Sequence, residues 1–302
     1  VRQAILVMLA ALAILALSNV GSPTNAVGVS DNGTALLANG TVVRYSYSTV
    51  GVMGVLTFYN GSYTSLGFTG GDAFSAQLNV VVTNGVYYYW VQDIAHVQPF
   101  NDGLFIVWFW DDLWNVSAVN ALLRVDLING SRKYPGYVHY VAYYRYAAPP
   151  IMTTKAPLTV GCMVKVRLVG GFINIEYYYM LNSSTINTGW VRYDSVTVKD
   201  PSREAYIIVG GFNPGNLSND IEWVVAGYTA AAQLYVFSWN ATMELKYLYN
   251  GSWYTPPGGQ SRSFDTGESV NVRHGICERY VDGIIVQSNC PVNNTYLWAI
   301  SF

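Results

Sequence analysis

The segment NDIEWVVAGY contains two carboxylates that could perform acid–base chemistry. Asp220 and Glu222 are two positions apart, and alternate side chains of a β-strand point to the same face. Their backbones would be about 7 Å apart on a strand. At that separation one carboxylate can raise the pKa of the other, which suits general acid–base catalysis at low pH. Asp220 could instead cap the start of the strand, and Glu222 could face solvent.

A second segment, YYYWVQDIAHV, places an amide and another carboxylate in a run of aromatic and β-branched residues. On a strand, Tyr88, Trp90 and Gln92 would share one face and Asp93 would take the other. The Gln92 amide can donate a hydrogen bond at any pH, and Asp93 is either a catalytic carboxylate or an anchor for a backbone N–H. Tyr88 and Trp90 are candidates for contacting a substrate, and they also suit an ordinary strand.

Several common catalytic signatures are missing from the sequence. It has neither a Gly-x-Ser-x-Gly motif nor a phosphate-binding glycine loop. Its three histidines, His96, His139 and His274, do not have the spacing of metal ligands. We therefore expect no metal site and no cofactor, which leaves the carboxylates as the groups able to catalyse a reaction.

The composition narrows the class of protein. Of the 302 residues, 51% are hydrophobic, 15% aromatic and 11% charged, whereas average globular chains have roughly 25% charged residues. A chain this apolar can bury enough surface to fold. Its 16 Lys and Arg are balanced by 18 Asp and Glu, so we expect no nucleic-acid partner.

The N-terminus has the pattern of an export signal. Arg2 precedes an apolar stretch from Ala4 to Leu17, and small and polar residues follow it. The stretch is shorter than the roughly 20 residues that span a membrane. We therefore expect residues 1–26 to be a cleaved signal peptide or, if retained, an N-terminal anchor and the only membrane contact. A secreted protein is predicted, with attachment to the cell envelope as the alternative, and recurrent Asn-x-Ser/Thr sequons fit a glycosylated surface.

The rest of the chain is typical of an all-β protein. Short runs of Val, Ile, Tyr, Phe and Trp alternate with Gly, Asn, Pro and Asp. This spacing favours a β-sandwich or jelly roll of facing antiparallel sheets. The strands predicted from it include Val86–Ile94, Leu104–Trp110, Val138–Tyr146, Val164–Leu168, Ile173–Met180, Val191–Val198, Ala205–Val209, Ile221–Val225 and Met243–Tyr249.

The sequence indicates one internal boundary and one weak helix. The pair Pro149-Pro150 breaks any strand and separates residues 27–148, the N-terminal half of the sandwich, from residues 149–302, the C-terminal half. A helical period is visible only at Val116–Leu123. We expect Asp111-Asp112 to end the preceding strand and to turn the chain or cap this helix.

The three cysteines are too few for a disulfide framework. Cys277 and Cys290 flank a segment centred on Asp282-Gly283, and Asp-Gly between alternating apolar residues predicts a hairpin. Such a terminal hairpin would bring the two thiols together, and we predict a disulfide between them in an exported protein. Cys162 is expected to be a small buried side chain.

Five segments follow one another in the order VGVSDNG, YYWVQDIAHV, WFWDDLWNVSA, WVRYDSVTV and NDIEWVVAGY, between Val27 and Tyr249. As an ordered set they resemble the landmarks of the thermopsin family of archaeal acid peptidases. The resemblance implies a secreted endopeptidase that cuts internal bonds of polypeptides in hot acid without a metal. It adds Asp31 to the candidate catalytic carboxylates, although an Asp near Gly33 is also a common turn residue.

The segment DIEWVV is also similar, over a few residues, to the strand that carries the catalytic Glu of fungal glutamic peptidases. Those enzymes are acid-active β-sandwiches that pair the Glu with a Gln, and the similarity points to Glu222 with Gln92 as its best partner. Ionised Glu222 would draw a proton from the attacking water, and Gln92 would donate to the developing oxyanion. In the rival scheme two carboxylates share a proton, with Asp93 and Asp220 or Asp31 as candidates.

The sequence departs from the thermopsin pattern at two places. Asn32 stands where the family has Tyr, and residues 226–231 replace a glycine-rich run. The missing glycine run and the sequons favour a second hypothesis, a non-catalytic cell-surface β-sandwich of the same family. The presence of Gln92, Asp220 and Glu222 favours the enzyme.

Overall fold

Strands dominate the computed structural model, which describes residues 27–31, 33–36, 41–66, 72–115, 127–129, 136–138, 141–152, 155–182, 188–210, 221–227, 233–256, 269–272, 276–281 and 284–289. Four features predicted from the sequence lie outside the described residues: residues 1–26, Val116–Leu123, Asp220 and Cys290. Within the described ranges, no helix is long and apolar enough to cross a membrane.

The first sheet carries the candidate site. Its neighbouring strands are, in order, β1 (Val27–Asp31), β17 (Ile221–Ala226), β6 (Phe74–Thr83), β7 (Tyr88–Pro99), β8 (Phe105–Asn115), β11 (Val141–Ala147) and β10 (Gly136–Val138). Three short strands extend it: β12 (Ile151–Met152) pairs with β8, while β16 (Tyr206–Val209) pairs with β6 and with β4 (Tyr47–Thr49).

The second sheet faces the first. Its order is β21 (Ile276–Val281), β22 (Ile284–Asn289), β18 (Gln233–Tyr249), β5 (Gly51–Leu66), β13 (Leu158–Val169), β14 (Phe172–Leu181), β15 (Val191–Pro201) and β9 (Leu127–Asn129), and β19 (Ser252–Tyr254) and β20 (Ser269–Val272) pair with β18. A separate two-stranded ribbon consists of β2 (Thr34–Leu36) and β3 (Val42–Arg44). Among the described strands only the pairing of β18 with β20 is parallel, and a short 3-10 turn, Asn101–Gly103, connects β7 to β8.

A hydrophobic core between the two sheets holds the sandwich together, which confirms the predicted all-β sandwich. The apolar side chains of β6 that enter it are Phe74, Ala76, Leu78, Val80 and Val82. The intervening polar residues Ser75, Gln77 and Asn79 therefore lie on the other face, where they are also buried. On β6 the first sheet is thus apolar toward the core, and its far side carries these buried polar side chains.

Strands from both halves of the chain are interleaved. β17 lies between β1 and β6, and β5 lies between β18 and β13. Residues 27–148 and residues 149–302 therefore contribute to both sheets. The position of Glu222 thus depends on pairing between segments that are far apart in sequence.

The prediction that Asp111-Asp112 ends a strand is wrong. Both residues lie inside β8, which continues to Asn115, and both are buried. The strand continues because its backbone remains paired on both sides, with β7 and with β11. Two consecutive Asp residues resemble a turn signal locally, but cross-strand pairing overrides local propensity.

The terminal hairpin is confirmed at the level of the backbone. β21 and β22 pair antiparallel with Val281 opposite Ile284, and Cys277 stands opposite Ser288. The disulfide with Cys290 stays a prediction. Cys162 is a buried free cysteine, as expected.

Candidate active site

Four polar residues form one row across neighbouring strands of the first sheet. Glu222 of β17 stands opposite Asn79 of β6, Asn79 opposite Gln92 of β7, and Gln92 opposite Asp112 of β8. Side chains that stand directly opposite each other lie on the same face of a sheet. We call these four residues, on the face away from the core, the polar row.

Hydrogen bonds connect three members of the polar row, Glu222, Asn79 and Gln92. The Asn79 Nδ2 donates to Glu222 Oε1 at 2.7 Å, and the Gln92 Nε2 donates to Asn79 Oδ1 at 3.0 Å. The indole Nε1 of Trp114 donates to Gln92 Oε1 at 3.2 Å. A longer contact of 3.5 Å joins Gln92 Nε2 to Gln77 Oε1. Gln92 and Glu222 are therefore linked through Asn79, which sequence reasoning had not singled out.

The polar row is shielded from solvent. Gln92 is 9% exposed and Glu222 is 1% exposed. Trp90 is buried on the same face as Gln92 and stands opposite Trp114, so aromatic rings border the row on one side. Tyr88 shares this face at the start of β7 and is half-buried. In such a setting charges and dipoles interact more strongly than they do in water.

Asp93 lies on the opposite face of β7 from Gln92, as the alternation predicts. Its Oδ2 accepts a hydrogen bond from the Met163 backbone N–H at 3.0 Å, and its Oδ1 accepts one from the Tyr193 hydroxyl at 2.8 Å. Both donors belong to the second sheet. Asp93 thus connects the two sheets through the backbone N–H of Met163 and the hydroxyl of Tyr193.

A second carboxyl group lies beside Asp93. Asp111 stands directly opposite Asp93 in the register, and both side chains are fully buried. Burial raises the pKa of each well above its ordinary value. For Asp111 the nearby carboxyl groups of Asp194, Asp93 and Asp112 raise the pKa further, and the Tyr193 hydroxyl offsets this only in part. Sequence reasoning missed this pair, because only the cross-strand register reveals it.

Asp31 lies at the end of β1 in a cluster of donors. Its Oδ1 accepts hydrogen bonds from the Gly33 N–H at 2.8 Å and from the Tyr45 hydroxyl at 2.5 Å, and its Oδ2 accepts one from the Tyr47 hydroxyl at 2.9 Å. The bond to Gly33 is that of the predicted turn. Burial raises the pKa of Asp31, and these hydrogen bonds partly oppose the rise.

The structure does not bring Asp31 and Asp93 together. Two strands, β17 and β6, separate β1 from β7, which corresponds to about 14 Å at ordinary strand spacing. The proton-sharing partner that the fold offers Asp93 is Asp111. Among the described side chains, no group of three or more His, Cys, Asp and Glu residues is arranged to hold a metal ion.

Comparison with known proteins places the chain in a family. A family model described as Thermopsin matches residues 12–272. A curated relative, thermopsin from Sulfolobus acidocaldarius, is 26% identical over 232 residues, which are 74% of this chain and 65% of the relative. The chain therefore spans less than two thirds of that relative's length. Because the family model covers most of the chain, the chain belongs to the thermopsin family.

Proposed function

We propose that this chain is a secreted endopeptidase that hydrolyses polypeptides in acid, with Glu222 and Gln92 as its catalytic residues. Its membership of the thermopsin family supports a peptidase. The export pattern of residues 1–26 supports secretion. The observation that carries the assignment of residues is the polar row, where a carboxyl group and two amides form consecutive hydrogen bonds on one sheet face.

Glu222 is assigned as the general base. Ionised, it removes a proton from a water molecule while the water oxygen attacks the scissile carbonyl carbon. The protonated Glu222 then gives this proton to the amine nitrogen as the peptide bond breaks. Strands β17 and β7 are two spacings apart, about 10 Å, so the water and the scissile carbonyl would lie between Glu222 and Gln92 once the groups that cover Asn79 have moved.

Gln92 is assigned as the oxyanion donor. Its Nε2 carries two hydrogens, of which one is donated to Asn79 and the other makes only the long contact with Gln77. The second hydrogen can turn to the carbonyl oxygen as negative charge develops there. A donor of this kind typically contributes 10²–10³-fold to the rate. Because Glu222 is 1% exposed, a substrate reaches it only after the groups that cover it move.

We assign the Asp93–Asp111 pair to the stability of the fold rather than to the reaction. Proton sharing between two carboxyl groups is the rival, aspartic-type mechanism. Both side chains are fully buried between the sheets, and Asp93 is engaged by Met163 and Tyr193 of the second sheet. Binding a peptide there would require the two sheets to separate, whereas the polar row lies outside the core.

The test is digestion of casein at acidic pH by the purified protein, by Glu222→Gln and by the control Glu244→Gln. Glu244 lies on β18, where it pairs with Lys246 at 3.1 Å, far from the polar row in the register. We expect Glu222→Gln to lose at least about 10²-fold in kcat, the usual contribution of a general base, and Glu244→Gln to retain activity. An active Glu222→Gln would overturn the assignment of the base. An inactive parent protein would support the non-catalytic family member instead.

A further inference from the structure

We propose that Trp114 is a positioning residue that sets the direction of the hydrogen bonds joining Gln92, Asn79 and Glu222 and so presents an N–H donor to Glu222. This inference rests on the proposed role of Glu222 as the base. Trp114 itself touches neither the water nor the scissile bond in this mechanism. It acts through Gln92 and Asn79.

The direction begins at Trp114 because an indole N–H can donate but cannot accept a hydrogen bond. Its partner at 3.2 Å is Gln92 Oε1. A side-chain amide has an oxygen end that accepts and a nitrogen end that donates. Holding the oxygen of Gln92 toward Trp114 therefore turns its nitrogen toward Asn79.

The same reasoning passes the direction on to Glu222. Since Gln92 Nε2 donates to Asn79 Oδ1 at 3.0 Å, the nitrogen of Asn79 must point the other way. It reaches Glu222 Oε1 at 2.7 Å. Flipping Gln92 would place two donors against each other at Trp114 and two oxygens against each other at Asn79. The hydrogen bonds can therefore run in one donor-to-acceptor order only, from the indole N–H of Trp114, which must donate, to the carboxylate of Glu222.

This direction favours the ionised form of Glu222. A hydrogen bond donated to a carboxylate stabilises its charged state and lowers its pKa, and such charge-assisted bonds are about twice as strong as neutral ones. With Asn79 reversed, an oxygen would face Glu222 and favour the protonated acid. A base that must work in acid therefore depends on the orientation of Asn79.

Other titratable residues stand on this face of the first sheet in the register. They are Asp112 at the far end of the polar row, Arg145 of β11 opposite Asp112, His96 two rows away on β7, and the tyrosines Tyr88, Tyr143 and Tyr206. Ser30 of β1 stands opposite Glu222 on its other side and does not titrate. None of these titratable residues stands next to Glu222 in the register, so the Asn79 amide is the adjacent polar group that the other strands of the row supply.

The experiment compares the pH dependence of kcat/KM for the parent, Trp114→Phe and Trp108→Phe. Trp108 lies on the same strand and face but stands opposite His96, outside the polar row. The acidic limb of this profile reports the pKa of the base in the free enzyme. We expect Trp114→Phe to move the acidic limb to higher pH by about one pH unit, so that kcat/KM at pH values below the pKa of the base falls roughly tenfold. We expect Trp108→Phe to leave the acidic limb unchanged. If the acidic limb of Trp114→Phe lies at the same pH as that of the parent, the proposal is overturned.

A second variant keeps the test decisive if Trp114→Phe folds poorly. Asn79→Asp has nearly the same shape and replaces the donor to Glu222 by a carboxyl group, so it should move the limb upward as well. The outcome for Glu222→Gln separates the two proposals. If Glu222→Gln is active, the assignment of Glu222 as the base fails. If Glu222→Gln is inactive, but the acidic limbs of Trp114→Phe and Asn79→Asp lie at the same pH as that of the parent, only the proposed role of Trp114 fails.

Discussion

Asp93 of β7 and Asp111 of β8 stand directly opposite each other, with both carboxyl groups fully buried between the two sheets. The groups that surround them are acidic or neutral: Tyr193 and Asp194 of β15 and Cys162 of β13. A buried carboxylate without a cation beside it is costly, so the protonated form is favoured. The interior of this sandwich therefore suits an acidic medium.

We predict that the protein is most stable in acid and loses stability as the pH rises. Burial raises the pKa of Asp93 and Asp111 in the folded state well above 3.8, the ordinary value for an exposed Asp. Between pH 3.8 and the raised pKa values the folded state therefore holds more protons than the unfolded chain. As the pH rises through that range, each group therefore lowers the free energy of unfolding by about 1.4 kcal/mol per pH unit. Urea unfolding followed by tryptophan fluorescence from pH 2 to pH 7 measures this slope.

The variant Asp111→Asn removes one of these titrating groups and should therefore make the free energy of unfolding depend less on pH. Asp102→Asn, in the exposed turn between β7 and β8, is the matched control and should keep the parental slope. Stability that increases from pH 3 to pH 6 in the parent would contradict the prediction.

Replacing Gln92 by a side chain of similar size without a donor should slow the chemical step. We expect Gln92→Met to lower kcat by about 10²–10³-fold with a smaller change in KM, because the donor acts on charge that exists only in the transition state. Steady-state hydrolysis of a peptide at acidic pH measures both constants. Gln98→Met, near the end of the same strand and on the same face, is the control. Equal kcat values for the two variants would argue against an oxyanion role.

Asp31 should matter for stability rather than for turnover. Both its oxygens are occupied by donors from Gly33, Tyr45 and Tyr47, and an Asn at this position would lose one acceptor. We expect Asp31→Asn to lower the free energy of unfolding by roughly 1–2 kcal/mol while the folded protein retains its kcat at low pH. Tyr47→Phe should give a similar loss. A variant Asp31→Asn with parental stability and no activity would instead make Asp31 catalytic.

Gly54 should be intolerant of any side chain because it lies under the ring of Trp223. A Cβ at this position would overlap the Trp223 ring atoms Cδ2, Cε3 and Cγ. Since Trp223 follows Glu222 on β17, moving the ring would also displace the proposed base. We expect Gly54→Ala to cost about 1–3 kcal/mol of stability, measured by urea unfolding in acid. Gly51→Ala, on the same strand with its nearest atoms at 3.4 Å, should cost much less.

Local patterns in the sequence were enough to predict the all-β architecture and the faces that side chains take along β7. Alternation places Gln92 and Asp93 on opposite faces of β7 in the sequence and in the structure alike, because the two-residue period of a strand is a local property. The Asp-Gly signal likewise predicted the pairing of β21 with β22, since a two-residue turn fixes the register of a hairpin. The ordered segments were enough to indicate the thermopsin family.

Which side chains meet across strands depends on the long-range pairing of the whole fold. Asn79 and Glu222 are 143 positions apart, and no local pattern records that β17 pairs with β6. Such pairing depends on which strands bury their apolar faces together, which is a property of the whole sandwich. The same register placed Asp111, which resembled a turn residue, opposite Asp93 in the core. Short-range alternation thus sets the direction of each side chain, and long-range burial selects its neighbours.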